Sequence, residues 1–378
     1  LAHFDVAGTL ARYDTAHLTL CSIGSHSALE VAAGARQHGL ANLIITARGR
    51  ERTYAEHYFR QSDPPRGCVD ATLLLDTFSD MLAPDVQDEL LSRNVVFVAN
   101  RSFEVYLRQR YTYAQIEQGM RVPFFGSRTL LRAEERDEAD NQYGLLERAG
   151  IRHPRQFASP RDIDRLVIVK APHAKVSFER AFFLARSSDD YDRLSERLIA
   201  EGMVVEAGLA GAVIEEFALG PSVNLNYFYS PVLDELELMG TDTRRQTNLE
   251  GLKNLPFLQA QALADEPVRL EEAGHIAATL TESMLEKAYA MGEHFVRATQ
   301  AGGNRGIIGP FALQCAIIAG PPKDFVVYDV SLRIPGSPGT RFTPYSAYRW
   351  GRDVSVGERI AMEVTWAREA DRLADVLT

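Results

Sequence analysis

Four short apolar runs constrain the first third of the chain more than anything else in it: “HLTLCSI”, “NLIITA”, “ATLLLDTF” and “VVFVAN”. Between them lie segments that suit helices, “ALEVAAGARQHG” and “PDVQDELLSRN”. Strand-length apolar runs alternating with amphipathic helices read as βαβ units built on a parallel sheet. In such sheets ligands sit at the carboxyl ends of the strands.

The pattern then changes. Residues 101–150 are charged and expected to be mostly helical. “DRLVIVKAPHAKVSFERAFFLARS” reads as two strands joined by a turn. “GAVIEEFALGPSVNLNYFYSP” and “ELELMGTDTRRQT” read as longer antiparallel strands, and “GPFALQCAII” and “FVVYDVSLRI” as a further pair. Ser283 to Thr299 is expected to form an amphipathic helix, and a last helix to run from Val356 to about Val376. The fold class is therefore α/β followed by α+β. A parallel-sheet domain is expected over 1–125 and an α+β domain with two lobes and the C-terminal helix over 126–378, divided near “VPFFGSRT”.

Composition narrows the function classes. A net charge of -10 over 378 residues argues against a general nucleic-acid binder, which needs a basic face. Cys21, Cys68 and Cys315 show no C-x-x-C spacing, so reduced thiols in a cytoplasm are expected, not a disulfide framework or a zinc site. No apolar run reaches about 18 residues, so no membrane span is expected. Asp5 and the lack of a basic leader argue against a signal peptide.

Two polar seams stand where strands hand over to helices. The first is Gly24-Ser25-His26-Ser27 and the second Asn100-Arg101-Ser102. Backbone N–H groups at such a seam favour an anion, Ser25 and Ser27 add hydroxyls, and His26 can donate in either protonation state. The plainer reading is an N-cap serine with an incidental histidine. Farther on, Lys170, Glu215, Glu216, Gln314 and Asp329 interrupt apolar strands. Buried charge needs partners. These residues are either internal ion pairs or a phosphate-and-magnesium site, with Lys170 on a phosphate and Gln314 and Asp329 as oxygen ligands. His153 and His173 have no second histidine at metal-ligand spacing and are expected at the surface.

The chain resembles the archaeal 5-formaminoimidazole-4-carboxamide ribonucleotide synthetase family of the ATP-grasp superfamily. The resemblance rests on “IGSHSALEVAAGARQHGL”, “VPFFGSRTLLRAE”, “LLERAGIRHPRQFASPRDID”, “YFYSPVLDELELMGTDTR”, “IIGPFALQ” and “YRWGRDVSVGERIA”, which span nearly the whole chain. It implies a pre-ATP-grasp domain followed by an ATP-grasp domain, with ATP and Mg2+ as cofactors. It implies that formate, activated as formyl phosphate, is joined to an aminoimidazole carboxamide ribonucleotide, and that the protein is a homo-oligomer.

The resemblance also implies residue roles. His26, Ser102 and Asn248 match ribonucleotide-binding positions, with Ser25, Ser27 and Arg244 beside them. Glu215 and Glu216 lie in the hinge that holds adenine and ribose. Lys170 matches the strand lysine near the ATP phosphates, Gln314 and Asp329 the magnesium positions, and Arg333 is assigned a catalytic role. Four positions depart from the pattern. No glycine occurs from Ala171 to Phe183, where a glycine-rich loop would cover phosphate, so Lys175 or Arg180 would supply charge there instead. Gly144 stands where a helix lysine is expected, Asp329 where the family usually has Glu, and Pro335-Gly336-Ser337 where it has Asp-Gly-Gly. The alternatives are a ligase for a different small acid and a ribonucleotide-binding paralogue without ATP chemistry.

Overall fold

The computed structural model describes residues 4–136, 138–170, 182–202, 204–246, 272–301 and 305–378. The first sheet has β1 (Thr19–Ile23) at its centre, flanked by β2 (Ala41–Ala47) and β4 (Val95–Val98). Outside these lie β3 (Ala71–Leu75) and β5 (Phe124–Phe125), and every pairing is parallel. Parallel neighbours need crossovers, and α1 (Ala28–Gln37) and α2 (Pro84–Ser92) supply them. With layers packed on both faces, nearly every residue of β1, β2 and β4 is buried, which is why these runs read as continuously apolar. α3 (Arg101–Leu107) and α4 (Tyr113–Gly119) follow β4.

The second sheet is antiparallel. After α5 (Gln142–Arg148) come β6 (Gln156–Phe157), β7 (Val167–Lys170), β8 (Phe182–Ala185) and, beyond α6 (Ser188–Ala200), β9 (Val213–Glu216). Their order is β8-β7-β9-β6. The third sheet contains β10 (Ser222–Ser230), β11 (Glu235–Gln246), β12 (Glu272–Ala277), β13 (Gly309–Ile318) and β14 (Asp324–Ser331), in the order β12-β11-β10-β13-β14. Leu225, Tyr227, Phe311, Leu313 and Val330 join α7 (Leu285–Thr299) in one core through Phe295. “GAVIEEFALGPSVNLNYFYSP” is thus two strands in two different sheets, not one long strand. The break falls at Phe217–Pro221, where Gly220 packs so tightly on Ile317 that a Cβ would lie 2.1 Å from its carbonyl oxygen.

The chain closes on itself. After α8 (Pro344–Trp350), α9 (Val356–Glu369) crosses α1 at a glycine pair. A Cβ on Gly34 would sit 2.3 Å from the Gly357 carbonyl oxygen, and one on Gly357 would sit 2.2 Å from that of Glu30. Arg359 of α9 is fully buried and ion-paired to Glu237 of β11 and to Glu363, each at 2.8 Å. One core accordingly runs from Leu20 and Val96 of the first sheet through Ile360 and Val364 to Phe228 of the third. The final helix ends at Glu369 and not near Val376, because Asp371 turns left-handed at φ 55°. A separate turn, Leu373–Val376, then brings Leu377 to pair with Phe125, so the C-terminal segment completes the first sheet's layer.

Candidate functional site

The two polar seams meet. Ser102 donates a hydrogen bond to the Ser25 hydroxyl at 2.6 Å. Asn100 is buried and donates to Ser22 Oγ at 3.1 Å and to the Ile23 carbonyl at 3.0 Å, while its own Oδ1 accepts from Phe103 N–H at 3.2 Å. It therefore ties the end of β1 to the start of α3. Ser27 does not act as a side-chain N-cap. Its backbone is left-handed (φ 64°), and its hydroxyl donates to the Pro335 carbonyl at 2.6 Å. That bond pulls the loop after β14 over the seam, where Gly336 packs on the His26 ring: a Cβ there would sit 3.1 Å from Nδ1.

His26 and Arg101 face the third sheet across a cleft that is partly open to solvent. Arg244, His275, Gln314 and Arg333 line its other walls. Strand register explains this convergence, because residues opposed in an antiparallel ladder share a face. Asp329 lies opposite Gln314, Gln314 opposite Asn224, Asn224 opposite Asp242, and Arg244 opposite His275.

The cleft is electrostatically structured. Arg244 donates to Gln314 Oε1 at 2.9 Å and lies 3.5 Å from Glu272, and its buried Nε has no hydrogen bond. Arg333 donates to Glu134 at 3.1 Å, and its Nε is likewise unsatisfied. Although part of its surface is open, partial shielding from water in the cleft lowers the pKa of His26 below the ordinary histidine value, against the pull of Glu272 and with Arg101 and Arg333 pushing the same way. His275 behaves oppositely. Burial alone would lower it, but hydrogen bonds to Asp242 and Glu272 raise it to about 9. Burial would raise Glu272, yet His275 and Arg244 hold it down at about 2. Ser337 completes this group, 2.9 Å from His275 Nδ1.

Beside the cleft runs a row of buried charge. Lys170 pairs with Glu215 and reaches the Tyr328 carbonyl at 3.4 Å. Tyr143 donates to Glu215 at 2.7 Å, Arg136 donates to Tyr143 at 3.2 Å, and Arg136 also donates to Asp329 at 2.9 Å. Burial lowers the pKa of Lys170, against the pull of Glu215. Glu216 points to the other face, 3.7 Å from Arg165, and takes no part in this row. Gly144 on α5 leaves room: a Cβ there meets only the ends of Arg148 and Asp140, at 3.5 and 3.6 Å. Lys175 and Asn248 lie outside the described residues. Gln314 and Asp329 stand side by side and offer the oxygen donors Mg2+ prefers, with phosphate oxygens to complete its shell. Among the described residues no three His, Cys, Asp or Glu side chains gather as a metal site.

Sequence reasoning did not single out Asn224, Asn226, Asp242, His275, Arg136 or Tyr143. The signal for the first three was present in “VNLNYF” and “GTDTRR”, where polar residues alternate with apolar or small ones in strand segments.

Comparison with known proteins bears on the whole chain. A family model described as a domain of unknown function (DUF1297) matches residues 190–378, and a second, a protein of unknown function (DUF1246), matches residues 20–157. A 5-formaminoimidazole-4-carboxamide-1-β-D-ribofuranosyl 5'-monophosphate synthetase from Methanopyrus kandleri is 35% identical over 378 residues, covering 100% of both chains. This chain belongs to that synthetase family. A solved member of the same group, the IMP biosynthesis protein PurP from Thermococcus kodakaraensis, superposes with a TM-score of 0.70 at 26% identity, covering 95% of this chain and 100% of that one. A phosphoribosylglycinamide synthetase from Anaerococcus prevotii, 11% identical with a TM-score of 0.55 over 93% of this chain and 75% of its own, shares the fold alone. The synthetase family thus carries the ATP-grasp architecture here: a parallel-sheet domain, then two antiparallel lobes. No helix among the described residues is long and apolar enough to cross a membrane.

Proposed function

We propose that this chain is an ATP-dependent ligase that formylates the 5-amino group of 5-aminoimidazole-4-carboxamide ribonucleotide, a step of purine biosynthesis. One observation carries the reading: the His26 seam and the Arg244–Gln314 wall face one cleft, and the row from Lys170 to Asp329 ends beside it. A nucleotide substrate in the cleft and ATP along the row would bring their reacting ends together at Gln314 and Asp329.

Formate is a poor electrophile and the ring amine a weak nucleophile, so activation must precede joining. Transfer of the terminal phosphoryl group of ATP to a formate oxygen gives formyl phosphate and ADP. The amine then attacks the formyl carbon, the C–O bond to phosphate breaks, and the amine loses a proton. The protein's part is positioning and charge stabilisation. Arg244 and Arg333 line the cleft and offer guanidinium groups to anionic oxygens, Lys170 offers a cation near the transferred phosphoryl group, and Mg2+ on Gln314 and Asp329 would offset phosphate charge. We place the reaction in the cytoplasm, where reduced thiols and free ATP agree with it, and in a homo-oligomer.

ADP release is the test. It should require the ribonucleotide and formate together, each omitted in turn. A second reading has its own support, since Lys170 is paired with Glu215 and Asp329 with Arg136. A ribonucleotide-binding paralogue would bind the nucleotide and release no ADP under any combination.

A further inference from the structure

Asp242 is buried and acts as the acceptor for three side chains. Asn224 Nδ2 donates to its Oδ2 at 2.8 Å, Asn226 Nδ2 donates to its Oδ1 at 2.7 Å, and His275 Nδ1 also donates to Oδ2. A carboxylate accepts and does not donate. The amide nitrogens of Asn224 and Asn226 must therefore face it, and neither amide can flip. Asn226 Nδ2 also lies within reach of the Asn224 and Gly240 carbonyls, which reject an amide oxygen for the same reason. The consequence falls on the other end of each amide. Asn226 is fully buried, lines the cleft, and its Oδ1 has no hydrogen-bond partner. A buried acceptor left without a donor is destabilising, so such an oxygen favours a ligand that donates to it. Asn224, two residues along the same strand face, also lines the cleft with its carbonyl oxygen turned away from Asp242.

We propose that the Asp242-locked Asn224–Asn226 pair reads N–H donors on the substrate's heterocycle, so that the site selects a 4-carboxamide over a 4-carboxylate. The inference rests on the ribonucleotide reading of the cleft. A carboxamide presents N–H groups to fixed acceptors; a carboxylate presents only lone pairs to them and brings a second negative charge close to Asp242. Asn224 and Asn226 are specificity-determining residues, and Asp242 positions them.

The experiment is calorimetric titration of the full chain with 5-aminoimidazole-4-carboxamide ribonucleotide and, separately, with its 4-carboxylate counterpart. The carboxamide should bind at least about a hundredfold more tightly, as sites built around buried hydrogen bonds discriminate strongly. In Asn226→Ala, which leaves every charge in place, that ratio should narrow by about tenfold through weaker carboxamide binding. A merely structural role would weaken both nucleotides together and leave the ratio unchanged. Wild-type affinities within about threefold of each other, or an unchanged ratio in Asn226→Ala, overturn the inference while leaving the ligase reading standing. Binding of neither nucleotide overturns both. The wild-type ratio decides the matter alone if the variant does not fold.

Discussion

Ser102 and Ser25 share a hydrogen bond of 2.6 Å although 77 residues separate them, and that bond joins the carboxyl ends of two strands of one parallel sheet. It places His26 and Arg101 on a common wall. The wall opposite comes from a different sheet, whose register aligns Asn224, Asp242, Gln314 and Asp329. The cleft between them is a consequence of how the two sheets are fixed to each other by α9.

His26→Ala should weaken binding of the aminoimidazole carboxamide ribonucleotide by more than about tenfold. The fold should be little affected, because His26 is exposed on the cleft wall and its neighbours at the seam are held by Ser27 and Asn100. Titration calorimetry checks this, and an unchanged affinity would remove His26 from the site.

Gly357→Ala should destabilise the protein by about 1–3 kcal/mol or more, since the new Cβ meets backbone atoms that have little room to retreat. Gly144→Ala should be neutral or mildly stabilising, as a helix gains from alanine and the space is open. Urea denaturation midpoints with equal m-values would separate the two outcomes.

Gly144→Lys should fold, because a Cβ at 144 meets only the ends of Arg148 and Asp140, and restoring the helix lysine that the family resemblance implies at this position should lower KM for ATP several-fold. Steady-state kinetics at varied ATP gives the answer. An unchanged KM would mean that phosphate binding does not pass this helix.

Stability should fall as pH rises through the alkaline range. His275 is raised from 6.5 in the ordinary state to about 9 in the fold. The folded protein thus holds a proton that the unfolded chain releases above 6.5, so the stabilisation is complete below 6.5 and lost as pH passes about 9. The loss is on the order of 3 kcal/mol for a shift of this size. His275→Gln should flatten the decline. Glu272, held at about 2, acts at the other end: its contribution is present at neutral pH and lost only in strong acid. Thermal melts from pH 6 to 10 would reveal a slope in the wild type and a flatter profile in the variant.

Much of this was legible in the sequence. The parallel sheet was, because its strands are buried on both faces and read as unbroken apolar runs. Lys170, Glu215, Gln314 and Asp329 stood out as polar residues inside apolar strands; Lys170 is ion-paired with Glu215 and Asp329 with Arg136 within the protein, and Gln314 lines the cleft. What stayed hidden depends on pairing between distant segments. “GAVIEE” and “SVNLNYFYS” look continuous, and nothing local says that Gly220 redirects the chain to another sheet. The last helix reads as uninterrupted until Asp371 adopts a left-handed backbone. His275 becomes notable only when β12 pairs with β11 and sets it against Asp242.

The most direct measurement uses isotopically labelled formate with ATP, Mg2+ and 5-aminoimidazole-4-carboxamide ribonucleotide, followed by carbon NMR of the nucleotide fraction. The account predicts a new formamide carbon resonance that appears in step with ADP. Label that stays in free formate while the ribonucleotide is bound and unchanged would contradict it.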